Sequence, residues 1–336
     1  MEKILIIERN ILNTECCNFL EQKGYDVTKI DFSDAPTFDD RSFLNKYLNI
    51  FLRTVFRYKS YLYKAERKFN KRERSKLINK FCKKNTEKFD KVIIVRPDYL
   101  NQKSIANLAK ISKEMAGYFW DSIAMGEAVD IQKSAHFFKN IFTYDTLDLE
   151  RYAFLNLKFI TNFYYPLEQT FPKSHPEKLY YLGNITLERR DLILEKIISK
   201  ISNKEQYQWN ILFNNFPVRD YKLLSNEHIN YIDKSKDYLY HLEEMMRAYV
   251  VFDINPSYNN GLSFRFFEAL FYNTKIITTN KNVLEYDFYN TNNILIYNND
   301  TTSEEINAFL ELPFVKMEDS MVENYRVDHW IKKLFT

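Results

Sequence analysis

One run in the last third of the chain most constrains its fold. Residues 249–252 are a continuous apolar stretch, and they predict a buried parallel strand at 249–254. A polar loop containing Gly261 follows, and then an apolar helix that carries Arg265 and Glu268. A second buried strand is predicted at 275–279. Strand, loop, helix and strand in this order predict an α/β fold with a parallel sheet.

The glycine loop and the start of the helix together predict an anion site. The first N–H groups of a helix lack intrahelical partners and its N-terminus is partly positive, so a diphosphate binds well there. A guanidinium at Arg265 suits phosphate oxygens, although an ion pair with Glu268 three residues later explains it equally well. Glu268 can accept hydrogen bonds from ribose hydroxyls. The alternative is an ordinary turn before a helix with a surface glutamate.

This run resembles the donor-binding segment of GT-B glycosyltransferases, in which a glycine loop precedes a helix ending in a phrase like FEAL. More narrowly, it resembles the C-terminal domain of bacterial capsule and lipopolysaccharide glycosyltransferases of the CgeB-like kind, similar to families 1 and 4. Three other segments agree in order and spacing, and together they cover roughly residues 90–300: 118–122, 142–145, and 181–184 with Arg189 and Arg190 behind it.

The resemblance implies two Rossmann-like domains that face each other across a cleft, with the nucleotide sugar on the second and Glu268 on the ribose. Asn260 departs from the pattern, because many retaining relatives carry a second glutamate at this position. The sequence therefore leaves open whether transfer inverts or retains the anomeric configuration.

The chain length and the positions of the prolines predict where the domains lie. A chain of 336 residues suits two domains. We expect an acceptor-side domain at 1–165, a nucleotide-sugar-binding domain at 177–318 and a C-terminal helix at 319–336 that packs back toward the first domain. The proline-containing stretch 162–176 is the expected linker. The first domain opens with a strand, helix and strand, but Glu8-Arg9-Asn10 replaces a glycine-rich turn, which argues against dinucleotide binding there.

A second phosphate-binding segment is predicted at the start of the second domain. Gly183 and Asn184 are predicted to form a turn between a buried strand and a helix at about 186–201, and a residue without a side chain there lets the backbone approach a phosphate. Arg189 and Arg190 come behind it and are able to neutralise a diphosphate, although a solvated helix face is a serious rival explanation. The complete set of expected donor-binding residues is Gly183, Asn184, Arg189, Arg190, Tyr231, Asn260, Gly261, Leu262, Ser263, Arg265 and Glu268.

Three carboxylates are candidates for the catalytic base. Asp121 ends the predicted strand Tyr118-Phe119-Trp120, and such a position faces the ligand side of an open sheet. An inverting transferase needs a base for the acceptor hydroxyl. Asp121 also suits an N-cap role. Glu8 and Asp98 stand at comparable strand ends and are rival candidates.

Charge is segregated along the chain. Between Arg53 and Lys91 there are 15 basic and 4 acidic residues, a net charge of +11, whereas the whole chain carries only +3. A basic, aromatic helical insertion at about 53–91 fits a solvated surface or an anionic membrane. Nucleic-acid binding is a third explanation that we do not expect, because the charge of the whole chain is small.

The remaining patterns exclude other classes of protein. Three cysteines make no disulfide framework, and the apolar start is too short for a signal peptide, so we expect a cytoplasmic protein. A peripheral position on the inner face of the cell membrane is compatible with the basic segment. The five histidines have no metal-ligand spacing, so no metal or other cofactor is expected.

The resemblance implies a hexosyltransferase-type glycosyltransferase (EC 2.4) from a bacterium. Its donor would be linked to UDP, GDP, dTDP or CMP, and its acceptor would be a capsule, lipopolysaccharide or glycolipid glycan. The alternative is a non-catalytic GT-B-like binding or scaffold protein in polysaccharide assembly.

Overall fold

The computed structural model describes residues 1–9, 11–39, 42–57, 61–185, 188–214 and 223–336. The chain divides into two compact units. The first comprises 1–143, 148–159 and 334–336, and the second comprises 144–147 and 160–333. Each unit contains a parallel sheet with helices, so the predicted two-domain α/β class is confirmed. The domain limits expected from the sequence stay a prediction.

The first unit is built on six parallel strands in the order β2-β1-β3-β4-β5-β6. The strands are β1 (Glu2–Glu8), β2 (Tyr25–Asp31), β3 (Phe89–Val95), β4 (Ser112–Phe119), β5 (Asn140–Thr143) and β6 (Lys158–Phe159). The helices up to residue 151 are α1 (Thr14–Gln22), α2 (Phe43–Val55), α3 (Tyr61–Lys84), α4 (Gln102–Lys110), α5 (Met125–Gln132) and α6 (Thr146–Arg151).

The second unit also has six parallel strands, in the order β9-β8-β7-β10-β11-β12. The strands are β7 (Lys178–Asn184), β8 (Gln208–Asn214), β9 (Ile229–Ile232), β10 (Ala248–Asp253), β11 (Lys275–Thr278) and β12 (Ile294–Ile296). The helices are α7 (Arg190–Ser199), α8 (Tyr238–Arg247), α9 (Phe264–Tyr272), α10 (Ser303–Glu311), α11 (Asp319–Glu323) and α12 (Val327–Leu334).

Local sequence explains why these elements form. Residues 4–7 of β1 are apolar and fully buried, as expected for a strand covered on both faces. Helix α1 begins where the Asn13 side chain accepts a hydrogen bond from the N–H of Cys16 at 3.1 Å. It ends before Gly24, whose φ of +92° is a conformation that favours glycine. In the second unit, Asp237 caps α8 in the same way through the N–H of Tyr240 at 2.8 Å.

The structure differs from the predicted elements in three places. Gly183 and Asn184 continue strand β7 rather than forming a turn. The helix predicted at 186–201 is α7, which begins at Arg190, and residues 186 and 187 lie outside the described residues. Helix α2 was not predicted. Its apolar residues face outward rather than into a core.

The basic segment predicted at 53–91 is mainly helix α3, followed by the first residues of β3. Its residues 58–60, and the side chain of Arg53, lie outside the described part of the chain. Within that part, every helix is too short or too polar to span a bilayer.

The stretch expected to be a linker is packed into the second unit. Phe163, Tyr164 and Tyr165 are buried, and Tyr164 exchanges backbone hydrogen bonds with Tyr325 and Val327 at 3.0 and 2.9 Å. The C-terminal region forms two helices, α11 and α12, rather than one. Trp330 of α12 donates its indole N–H to the carbonyl of Thr161 at 2.9 Å, which holds this helix against the start of the stretch.

Candidate active site

The strand order of the second sheet identifies one crevice for a ligand. β7 lies between β8 and β10, so the chain leaves β7 toward one edge of the sheet and returns at β10 to build the other. In open α/β sheets, ligands bind beyond the carboxyl ends of the strands at such a switch point. β7 ends at Asn184 and β10 at Asp253, so the segments that follow these two residues border the crevice.

Asp253 organises the end of β10. It is 3% exposed, and its carboxylate accepts hydrogen bonds from the hydroxyls of Ser263 at 2.7 Å and Thr278 at 3.1 Å. Ser263 is the N-cap residue of α9, but its hydroxyl serves Asp253 and makes no capping bond. The first turn of α9 is therefore left without a side-chain cap, so its backbone N–H groups are able to bind an anion.

Arg265 lies in this same cluster. Its Nη1 is 3.5 Å from Asp253 Oδ1, and its Nη2 donates to the carbonyl of Leu182 in β7. Burial lowers the pKa of Arg265, but Asp253, two tyrosines and Glu268 together outweigh this effect, and the net shift is upward. The expected alternative, an ion pair with Glu268, is not among the contacts described for Arg265.

Two arginines flank the ring of Tyr181. The guanidinium carbon of Arg265 lies 5.6 Å from the ring centroid, and Arg190 hydrogen-bonds the Tyr181 hydroxyl. Burial raises the pKa of that hydroxyl, while Arg190 and Arg265 partly oppose the shift. The Nε of each arginine is buried and donates to no described residue. An anion at the switch point would supply the missing acceptors.

Asparagine side chains fix the loop between β10 and α9. Four consecutive backbone carbonyls of this loop each accept a hydrogen bond from a different asparagine side chain: Asn259 from Asn255, Asn260 from Asn282 at 2.9 Å, Gly261 from Asn280 at 3.0 Å, and Leu262 from Asn162 at 2.9 Å. Since every carbonyl in this run is satisfied by the protein, the loop holds one conformation without a ligand.

Two of the predicted site residues have no room for a larger side chain. A Cβ on Gly261 would meet the ring of Tyr144 and lie 2.7 Å from its carbonyl oxygen. A Cβ on Gly183 would lie 2.7 Å from Cζ of Tyr181. Both glycines are required by close packing inside the unit, whatever ligand approaches.

Glu268 belongs to a buried hydrogen-bond network. It is 1% exposed, and it accepts from the hydroxyl of Tyr238 and lies 2.8 Å from Nε2 of His241. His241 Nδ1 is in turn 3.0 Å from the hydroxyl of Tyr180. The predicted contact between Glu268 and a ribose stays a prediction, and the structure adds a structural role for this carboxylate.

Other predicted donor residues have partners within the unit. Arg189 makes two hydrogen bonds to Asp191, at 2.9 and 2.8 Å, and the hydroxyl of Tyr231 donates to the same carboxylate at 3.1 Å. Asn184 accepts from Asn214 at 3.0 Å, and Leu262 is a buried core residue. Of the two expected arginines, Arg190 is the one whose Nε is buried without a described acceptor.

A cavity of about 470 Å³ opens beside the fixed loop. The residues that line it come from the segments after β7, β10 and β11: Glu188, Ile193, Asn255, Pro256, Ser257, Asn259, Asn260, Thr279, Asn280, Lys281 and Asn282. Arg190, Arg265 and Glu268 are not among these residues. The Glu188 carboxylate accepts from the backbone N–H of Ser257 at 3.1 Å, so an anionic group already uses one N–H of this loop.

The three candidate bases follow three adjacent strands of the first sheet, β1, β3 and β4. Glu8 is fully buried and lies 2.9 Å from Lys29. Burial raises the pKa of Glu8, and Lys29 opposes this shift without reversing it. Asp98 is buried and held by two hydrogen bonds from Arg96, at 2.9 and 3.1 Å. Asp121 is half-buried and accepts from the N–H of Ser122 at 2.9 Å.

Sequence reasoning missed several polar residues of this region. Asp253 and His241 received no role, and Glu188, Asn280 and Asn282 were not singled out. Asp253 carried a usable signal, because a carboxylate directly after a buried strand faces the ligand side of a sheet. His241 carried none, because its partner Glu268 is 27 residues away. Within the described ranges, no three His, Cys, Asp or Glu side chains are placed to hold a metal ion.

Comparisons with known proteins were made in sequence and in structure. No protein-family model matches the sequence, and no curated protein matches it. Solved structures match over nearly the whole chain at low identity. One is HepE of Anabaena in complex with UDP and glucose, with 11% identity, a TM-score of 0.52, and coverage of 99% of this chain and 98% of that one.

Two further structures agree with this match. An α-glucosyltransferase in complex with UDP and a 13-mer DNA has a TM-score of 0.57 at 12% identity, with full coverage of both chains. AviGT4, a glycosyltransferase involved in avilamycin A biosynthesis, has a TM-score of 0.51 at 10% identity, covering 99% of this chain and 98% of that one. With the two parallel sheets, these likenesses show that the chain has the two-domain α/β fold of GT-B glycosyltransferases.

Proposed function

We propose that the protein is a glycosyltransferase whose nucleotide-sugar donor binds at the switch point of the second sheet. The observation that carries this proposal is the pair of guanidinium groups, Arg190 and Arg265, whose Nε atoms are buried without a described acceptor. A diphosphate satisfies both, and the uncapped first turn of α9 adds a further anion-binding element.

The adjoining cavity suits the sugar of the donor. Its wall includes the carboxylate of Glu188 and the side-chain amide of Asn260, groups that bind sugar hydroxyls. Asn260 is one of these wall residues, at the position where the resemblance expected a glutamate. An amide there binds a hydroxyl but carries no negative charge to stabilise a developing cation.

The arginines would also act in the reaction itself. Charge grows on the leaving diphosphate as the glycosidic bond breaks, and fixed cations that contact it stabilise the transition state more than the ground state. HepE and the α-glucosyltransferase are in complexes that contain UDP, so UDP-linked donors are the first to test. GDP-, dTDP- and CMP-linked donors follow. The proposed acceptor, a surface glycan such as capsule, lipopolysaccharide or glycolipid, rests on the sequence resemblance.

A binding or scaffold protein without turnover is the second candidate. It is favoured by the asparagine at position 260 and by the enclosure of Glu268 among Tyr238 and His241. Donor binding is common to both candidates, and only turnover separates them.

The test is calorimetric titration with UDP-, GDP-, dTDP- and CMP-linked sugars. We expect one class to bind and Arg190→Gln to weaken that binding at least about tenfold, the loss of one charge-assisted contact. Lys196→Gln is the matched control, because it removes an exposed cation from the same helix. Absence of binding by every donor, or equal binding by Arg190→Gln, would contradict the proposal. Release of free nucleotide with added acceptor then distinguishes the enzyme from a scaffold.

A further inference from the structure

Helix α2 of the first unit turns its apolar side chains outward. In a globular protein the apolar stripe of an amphipathic helix normally faces the core. Here the side chains spaced along one face are exposed: Phe43 at 85%, Tyr47 at 59%, Ile50 at 65% and Phe51 at 43%. The residues on the opposite side, including Leu48 and Leu52, are the partly buried ones.

The exposed aromatic side chains of α2 form an ordered ridge. The rings of Phe43 and Tyr47 are stacked with centroids 6.5 Å apart, and those of Tyr47 and Phe51 are stacked at the same distance. Leu44 and Val55 extend the apolar surface on its flank. A contiguous apolar patch of this kind marks an interaction surface.

The next helix, α3, carries a row of cations. Its exposed basic residues recur every four positions and form a row that turns by about 40° around the helix at each step: Lys64, Lys68, Arg72, Lys76, Lys80 and Lys84. The four in the middle, from Lys68 to Lys80, span about 120° and therefore share one side. At 1.5 Å per residue this row is about 30 Å long. Glu73 pairs with Arg72 and Lys76, and the helix as a whole has ten basic and two acidic residues.

We propose that α2 and α3 together dock the protein on the surface of an anionic phospholipid bilayer. The aromatic ridge of α2 would enter the boundary between headgroups and acyl chains, and the basic row of α3 would lie along the lipid phosphates. The cations of α3 require a negatively charged partner, and the exposed apolar side chains of α2 require a partner with an apolar interior. A nucleic acid satisfies the first requirement but not the second. This proposal concerns the first unit and does not depend on the proposed transferase activity.

The test is flotation of the full-length protein with vesicles of phosphatidylcholine alone or with about 30% phosphatidylglycerol. We expect binding to the anionic vesicles, weakened by added salt because screening reduces the attraction. The variant with Lys64, Lys68, Lys80 and Lys84 changed to Gln should bind about 600-fold more weakly, since each basic residue near such a surface contributes about fivefold. Exposed lysines of the second unit provide the control of equal charge: Lys196, Lys234, Lys236 and Lys316, each changed to Gln.

The apolar ridge is tested separately. Phe43→Ser, Tyr47→Ser and Phe51→Ser combined should lower vesicle binding at least about tenfold without changing circular dichroism, because these side chains are exposed. In a Tyr47→Trp variant, the added fluorescence should shift to the blue on vesicles and be quenched by brominated lipid. Binding that needs the lysines but not the ridge would overturn the proposal.

Two other outcomes would also overturn it. Salt-sensitive binding to a DNA duplex, with no binding to vesicles, would assign the basic row to nucleic acid. A dimer that the ridge variant converts to a monomer, again without vesicle binding, would assign the ridge to a second copy of this chain.

Discussion

His241 Nε2 lies 2.8 Å from Oε2 of Glu268, and both side chains are buried. Glu268, which the family resemblance assigns to ribose binding, thus also contacts a side chain of α8. Substitution of Glu268 therefore changes folding as well as any ligand contact, and the two effects have to be measured separately.

We expect Glu268→Ala to lower the free energy of unfolding by about 3 kcal/mol, because it leaves buried Tyr238 and His241 without their acceptor. Glu311→Ala, at an exposed position of the same unit, should change it by less than about 0.5 kcal/mol. Urea titration followed by circular dichroism measures both. Equal stability of Glu268→Ala and the native chain would show that the network contributes little.

Gly261→Ala should destabilise the second unit and abolish donor binding. Its methyl group would lie 2.7 Å from the carbonyl oxygen of Tyr144, so the loop that the asparagines fix has to move. Gly126→Ala is a control, because the nearest atom to its new methyl group is 3.7 Å away. The measurements are thermal unfolding and calorimetric titration with the donor that binds the native chain. A Gly261→Ala protein with native stability and affinity would contradict this account of the loop.

The alternation of strands and helices could be predicted from the sequence, whereas most side-chain partners could not. Strands such as β1 and β10 are continuous apolar runs, which is a local signal. The amides that hold the carbonyls of Asn260 and Gly261 come from Asn282 and Asn280, about 20 residues later, and no spacing rule connects them. Helix α2 was missed although its apolar residues recur at helical spacing; what no local pattern could show is that this apolar face is exposed.

The buried Lys275 should make the free energy of unfolding rise with pH. It is fully buried, and its ammonium donates to the carbonyls of Phe309 and, at 2.7 Å, Leu312. Burial lowers its pKa to about 8, and Glu177 only partly opposes this shift. Between pH 8 and about 10.4, the usual value, the unfolded chain binds more protons at this site than the folded chain does. This group therefore adds stability as the pH rises, by up to about 1.4 kcal/mol per pH unit.

The comparison of native chain and Lys275→Met isolates that contribution, since all other groups titrate alike in both. We expect the free energy of unfolding to increase more between pH 8 and 9.5 in the native chain than in the variant. The same slope in both proteins would show that Lys275 keeps an ordinary pKa in the folded state.

Of the three candidate bases, Asp121 is the one whose substitution should slow the transfer reaction without lowering stability. Glu8 is paired with Lys29 and Asp98 with Arg96, so Glu8→Gln and Asp98→Asn each remove one carboxylate from a buried ion pair. Lys29 keeps Asp31 and Arg96 keeps Glu127 as a partner, so each substitution should lower stability by about 2 kcal/mol. Asp121 is half-buried and accepts one backbone N–H, which an amide oxygen still accepts in Asp121→Asn.

We therefore expect Asp121→Asn to keep its melting temperature and donor affinity while the transfer rate falls at least about 100-fold, the usual contribution of a general base. The measurements are differential scanning fluorimetry, donor titration and nucleotide release with the best acceptor found. Unchanged nucleotide release in Asp121→Asn, together with loss of release in a folded Glu8→Gln or Asp98→Asn protein, would assign the base to the end of β1 or β3 instead.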